Sequence, residues 1–174
     1  MINIIEIKAR CDQQGDIREQ LLQRGADYRG LDHQVDTYFQ VREGRLKLRE
    51  GNIENHLIQY HRDDQAGPKH SRVRLHAVPP GDPLKAMLID ALGVLAVEDK
   101  QREIYFIDNV KFHLDTVVDL GTFVEIEAID TRGERSREDL WEQCQYYLKL
   151  FAIPSDALVA VSYSDLLIAQ RTAG

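Results

Sequence analysis

The chain has 174 residues, a formal net charge of −7, 43% hydrophobic residues and 29% charged residues, the balance of one globular domain with a sizeable core, spanning 1–174, rather than of a disordered chain. The acidity argues against a general nucleic-acid binder. Two cysteines, Cys11 and Cys144, and six scattered histidines form neither a disulfide framework nor a zinc-ligand spacing.

In chain order, residues 2–10 alternate as a strand, in a segment without the basic flank and long apolar stretch of a signal peptide. No apolar run approaches the ~20 residues of a membrane span, so the expected location is cytoplasmic. Residues 13–24 read as a helix with Ile17, Leu21 and Leu22 on one face and Gly25 as its stop. Strands are expected at 34–41, 45–49, 56–62 and 71–77, with a tight turn at Arg42, Glu43 and Gly44, and GPKH at 67–70 in a polar loop. Asp82 and Pro83 open a helix over 83–92 that ends at Gly93. Strands follow at 95–107, 110–117 and 122–129, with a turn at Asp108-Asn109. Helices are expected at 134–151 and, capped by Ser155 or Asp156 after Pro154, at 156–170. Strands in hairpins with helices at intervals indicate an α+β protein, and about eight strands can close into an antiparallel barrel that leaves no exposed edge.

The polar faces of these strands carry paired charges two residues apart, which places both on one side. Glu6, Lys8 and Arg10 share a face in the first strand. Arg45, Lys47 and Arg49 alternate with Leu46 and Leu48, and Arg72 and Arg74 with Ser71, Val73 and Leu75. Lys100 pairs with Arg102, and Glu125 with Glu127. These are either outer faces of a sheet or the inner wall of a wet barrel whose apolar faces are covered by helices. A solvated surface mixes signs, whereas here three strands carry mainly basic pairs and another a purely acidic one. Inward basic pairs would suit phosphate oxygens, and an acidic pair would suit Mg²⁺ or Mn²⁺.

The motifs NIIEIKAR, QVDTYFQVREGRLKLRE, LIQYHR, KHSRVR, VEDKQREIYF and HLDTVVDLGTFVEIEAID resemble, in order and spacing, those of the CYTH triphosphate-tunnel superfamily. VSYSDLL at 161–167 is similar to the end of its class IV adenylyl cyclase branch. The resemblance implies a closed eight-stranded antiparallel barrel with helices outside and a triphosphate along a charged tunnel. It implies phosphate contacts at Lys8, Lys47, Arg49, Arg62, Arg72, Lys100 and Arg102, and metal ligands, Mg²⁺ or Mn²⁺, at Glu6, Glu125, Glu127 and Asp115. Glu6, Lys8, Glu125 and Glu127 would form the catalytic set. The first glutamate of the ExExK signature falls on Ile4, which cannot ligate a metal, and this bears on a second metal and on turnover. The implied reaction is conversion of ATP to cyclic AMP and pyrophosphate. The alternatives are hydrolysis of thiamine triphosphate or tripolyphosphate, and a triphosphate-binding module without turnover.

Other residues read more plainly. His113 is expected to be structural, with acid–base work as the alternative. Asp36 is expected to fix a turn or pair with a tunnel arginine. Trp141, Tyr146, Tyr147, Leu148 and Phe151 are expected to pack on the barrel exterior, with a homodimer face as the alternative, and Cys144 to be a buried hydrophobe.

Overall fold

The structure, a computed structural model, describes residues 1–62 and 64–174. Eight strands and four helices follow in the order β1 (Ile2–Arg10), α1 (Gln14–Gln23), β2 (Asp27–Phe39), β3 (Arg45–Glu50), β4 (His56–Arg62), β5 (Lys69–Ala77), α2 (Leu84–Leu92), β6 (Val94–Ile107), β7 (Val110–Val117), β8 (Gly121–Asp130), α3 (Arg137–Leu150) and α4 (Tyr163–Ala173), with a short 3₁₀ turn at Ser155–Ala157. The strands form a closed barrel in the order β1-β5-β4-β3-β2-β6-β7-β8. All pairings are antiparallel, and β1 joins both β5 and β8. Closure pairs every strand on both sides, which satisfies the backbone groups an open edge would expose.

Period-two alternation sets the inside against the outside. Ile5, Ile7 and Ala9 of β1, Phe112 and Leu114 of β7, and Val124, Ile126 and Ala128 of β8 project outward into one apolar cluster with Ile17 and Leu21 of α1 and Leu140 and Cys144 of α3. The helices therefore coat the barrel, and the main core lies between barrel and helices rather than in the barrel's centre. Cys144 is fully buried, with its Sγ 3.2 Å from the Ile5 carbonyl. Tyr147 and Phe151 pack edge-on against Phe112, whereas Trp141 and Tyr146 are exposed. A capping box holds the start of α3: Ser136 accepts from the Asp139 N–H while the Asp139 side chain accepts from the Ser136 N–H. Among the described residues, no helix is long and apolar enough to cross a membrane.

The elements depart from expectation in three places. β2 starts at Asp27 rather than 34, because Gly30 at φ +124° takes up a register shift against β6 and lets the strand run on. β5 starts at Lys69, so Lys69 and His70 belong to the strand and not to a loop. The last helix begins at Tyr163 with a Ser162–Asp165 capping box, and only a 3₁₀ turn forms at 155–157.

Candidate functional site

The alternating charged faces of most strands turn inward. Glu6 and Lys8 of β1, Lys47 and Arg49 of β3, Arg62 of β4, Arg102 of β6, and Glu125 and Glu127 of β8 line one cavity of about 180 Å³ inside the barrel. Lys100 and Asp115 are fully buried behind its surface. Arg72 does not join them. It is exposed on the outer face of β5, as is Arg74, while Lys69, Ser71 and Val73 take the buried side. The paired arginines marked the outer side of this strand, because its inward positions are small, apolar or occupied by Lys69.

The cations inside are held by acids on neighbouring strands. Asp36 sits opposite Arg49 in the β2–β3 register. Its carboxylate accepts from Arg49 Nε and Nη2 at 2.9 and 2.8 Å, from Lys47 Nζ at 2.8 Å and from Lys100 Nζ at 3.0 Å. Burial opposes the charge on Asp36, but Arg49, Lys100 and Lys47 outweigh it and hold its pKa well below the usual carboxylate range. Arg102 grips Asp115 through two parallel bonds at 2.7 and 2.6 Å and reaches Glu125 at 3.1 Å. Lys8 lies 3.2 Å from Glu125, and Arg62 donates to Glu6 at 2.7 Å.

One end of this network gathers metal-ligand types. His113, Glu125 and Glu127 bring one ligand atom each within 4.8 Å of one another. His113 Nδ1 stands 3.0 Å from Glu125 and 3.8 Å from Glu127. Burial, then the nearby Arg102 charge, push the His113 pKa down to about 3, so the imidazole is neutral and able to ligate. Glu127 is pushed up to about 7 by burial, with Glu125 and Glu6 adding to it against Lys111. Two carboxylates and a neutral imidazole crowded in this way fit a divalent cation, which would relieve the repulsion that raises Glu127. Asp115 stands apart from the cluster, with both oxygens already taken by Arg102 and one also by the Tyr163 hydroxyl at 2.7 Å.

Several lining residues were not anticipated as part of the site. Lys111 shares the inward face of β7 with His113, which was expected to be structural, with acid–base work as the alternative. Glu54, which pairs with Lys111 and with Arg49 at 3.0 Å, comes from a loop with no period to read. The buried Asp32 shapes that loop by accepting from the N–H groups of Asn52, Ile53 and Glu54. Gly51 lets the chain pass, since a Cβ there would lie 2.7 Å from Asp32 Oδ1. Lys69 donates to the Val159 and Ala160 carbonyls, and burial lowers its pKa to about 8. One stretch of the wall is apolar: Ile2, Ile4, Ile58, Val73 and Leu75, with Tyr38 and Tyr60, face the same cavity.

A closed barrel whose interior holds a network of buried ion pairs beside an apolar stretch, with an apolar coat outside, defines a charged-tunnel protein. The chain belongs to the CYTH domain family, which matches residues 3–150. Similar solved structures include the PH1012 protein of Pyrococcus horikoshii (24% identity, TM-score 0.75, covering 94% of this chain and 98% of that one). Another is a candidate adenylate cyclase of Vibrio parahaemolyticus (17%, TM-score 0.76, 94% and 97%). A third is a candidate adenylyl cyclase of Hippeastrum with a dominant triphosphatase activity (15%, TM-score 0.63, 99% and 96%). At these identities the likeness shows the fold. No curated protein matches the chain. Ser162 and Tyr163 lie beyond the matched stretch yet line the cavity, with Lys8 Nζ 3.8 Å from the centre of the Tyr163 ring.

Proposed function

We propose that the tunnel binds an organic triphosphate together with a divalent cation and turns it over, with cyclisation of ATP to cyclic AMP and pyrophosphate as the leading reaction. The observation that carries this reading is the division of one cavity into an ionic side and an apolar side. An inorganic polyphosphate would use only the ionic side. A nucleotide uses both, its phosphates on Lys8, Lys47, Arg49, Arg62 and Arg102 and its base against Ile58, Tyr60 and Val73.

Triphosphate chemistry asks the protein for positioned phosphates and neutralised charge more than for covalent help. Arg102 and Arg49 hold their Nε and Nη2 edges on Asp115 and Asp36 and offer phosphate oxygens their charge and remaining N–H groups, and Lys8 and Lys47 act as point charges. Their bonds to Asp115, Asp36 and Glu125 set the direction of each head group before substrate arrives, which is the preorganisation that transition-state stabilisation needs. Glu125, Glu127 and His113, with Glu6 opposite Glu127, would hold the cation. When bound, it would supply Lewis-acid polarisation of a phosphoryl oxygen. The imidazole makes the donor set less purely oxygen than Mg²⁺ prefers, which favours Mn²⁺.

Hydrolysis is the second reading, and it uses the same walls. The Hippeastrum protein of this fold, described as a triphosphatase despite its cyclase-like character, gives it weight. Incubation with ATP and Mn²⁺ followed by product analysis separates the readings. Cyclic AMP with pyrophosphate supports the cyclase, and orthophosphate supports the triphosphatase. Thermal stabilisation by the nucleotide without any product leaves a binding module. Absence of both product and stabilisation overturns the proposal.

A further inference from the structure

Two cations of the tunnel wall share one internal anion. Arg49 and Lys111 both line the cavity. They stand on β3 and β7, with β2 and β6 between them in the barrel order. Glu54, from the loop between β3 and β4, joins them across that gap. One of its oxygens accepts from Lys111 Nζ, and the other from Arg49 Nη1 at 3.0 Å and Gln34 Nε2 at 3.2 Å. Burial opposes the charge on Glu54, but Lys111 and Arg49 outweigh it and hold its pKa below the usual carboxylate range.

The loop is built to keep this carboxylate in place. Asp32, fully buried on β2, accepts from the N–H groups of Asn52, Ile53 and Glu54 at 2.6, 2.9 and 3.0 Å. Gly51 and Asn55 close the loop on itself: the Gly51 N–H donates to Asn55 Oδ1 at 3.1 Å, and Asn55 Nδ2 to the Gly51 carbonyl at 2.8 Å. A carboxylate on a loose loop would yield to an incoming phosphate, whereas one anchored through its own backbone holds its position. A phosphate reaching beyond Arg49 would therefore meet a fixed negative charge, with the Lys111 ammonium already paired.

On the reading of the cavity as a triphosphate tunnel, we infer that Glu54 is a specificity-determining residue, which ends the phosphate track at Arg49 and excludes a fourth phosphate. Lys8, Lys47, Arg62 and Arg102, with Arg49 as the last member, serve the ligand. At the Lys8 end the wall is formed by Ser162 and Tyr163, whose ring centre lies 3.8 Å from Lys8 Nζ. The track is thus bounded at both ends, by an aromatic ring at one and a carboxylate at the other.

The test titrates tripolyphosphate and tetrapolyphosphate separately into the full chain by calorimetry, in metal-free buffer so that chelation adds nothing. Wild type is expected to bind the two with the same affinity. Glu54→Gln keeps an acceptor for Arg49 but removes the charge and frees Lys111. In that variant tetrapolyphosphate should bind about tenfold or more tighter than tripolyphosphate, the worth of one charge-assisted hydrogen bond. The double variant Glu54→Gln, Lys111→Gln should lose that gain, whereas a gain that came only from a loosened loop would survive in it and overturn the inference. Wild type that itself prefers tetrapolyphosphate by about tenfold also overturns it, with no variant needed. So does a Glu54→Gln variant that raises both affinities equally, and either result leaves the tunnel reading in place. Failure of tripolyphosphate to bind wild type or variant overturns the tunnel reading and the inference together.

Discussion

Glu6 on β1 and Glu127 on β8 stand directly opposite each other in the barrel register, two carboxylates facing across one strand pair. Like charges so placed repel. Arg62 on Glu6 and Lys111 opposite Glu127 offset the repulsion only in part, and burial, with Glu125 and Glu6 adding to it, pushes the Glu127 pKa up to about 7. A cation would complete what these flanking bases leave undone.

Two groups of this cluster should pull stability in opposite directions with pH. Glu127 has a pKa raised to about 7, so between its unfolded value and 7 the folded chain binds more protons, and stability falls as pH rises through that window. His113 has a pKa lowered to about 3, so between 3 and its unfolded value the unfolded chain binds more protons, and stability rises with pH. The two oppose each other at pH 5–6. In metal-free buffer, urea unfolding of Glu127→Gln should therefore climb with pH more steeply than wild type by up to about 1.4 kcal/mol per unit, one proton's worth. His113→Gln should shift the slope the other way.

Metal binding must displace the Glu127 proton. Titration with Mn²⁺ at pH 6.5 should release about one proton per ion, read from the dependence of the calorimetric heat on buffer ionisation enthalpy. Glu127→Gln should abolish the release, and wild-type affinity should increase from pH 6 to 8.

Asp36 neutralises three cations while fully buried. Asp36→Asn should cost about 3–5 kcal/mol in chemical unfolding, the range for removing one partner from a buried ion pair. Part of the loss should return when tripolyphosphate is added, because its oxygens can replace the carboxylate at Lys47 and Arg49.

The fork of Arg102 on Asp115 cannot be reproduced by an ammonium. Arg102→Lys should lose about 1–3 kcal/mol of stability, the cost of a charged hydrogen bond left unmade. It should weaken triphosphate binding more than Lys100→Arg does, since Lys100 lies behind the cavity surface. Thermal shift with nucleotide measures both effects.

Ile4 packs against the apolar wall formed by Tyr38, Ile58, Tyr60 and Val73. Ile4→Glu should restore the ExExK signature in sequence but place a carboxylate against apolar side chains. The expected outcome is a lower melting temperature, from a cost of about 1–3 kcal/mol, and no gain in turnover. A faster product assay would show that the missing carboxylate limits the chemistry.

Strand alternation by itself placed Glu6 with Lys8, Lys47 with Arg49, Lys100 with Arg102 and Glu125 with Glu127, because residues two apart on a strand must share a face. The ordered motifs added the barrel and its tunnel. The tunnel position that the resemblance implied for Arg72 is not what the structure shows, since a period of two says which residues lie together but not which side of the sheet becomes the interior. That choice was made by closure, which turned Lys69, Ser71 and Val73 inward and left Arg72 exposed on the outer face. The partners were also decided only in three dimensions. Lys8 meets Glu125, Arg45 meets Asp165, and Tyr163 reaches Asp115 across stretches of chain that no local pattern connects. Charge pairing acts over a few ångströms of space whatever the distance along the chain, so the counter-ion of each base could be known only once the barrel had brought its strands together.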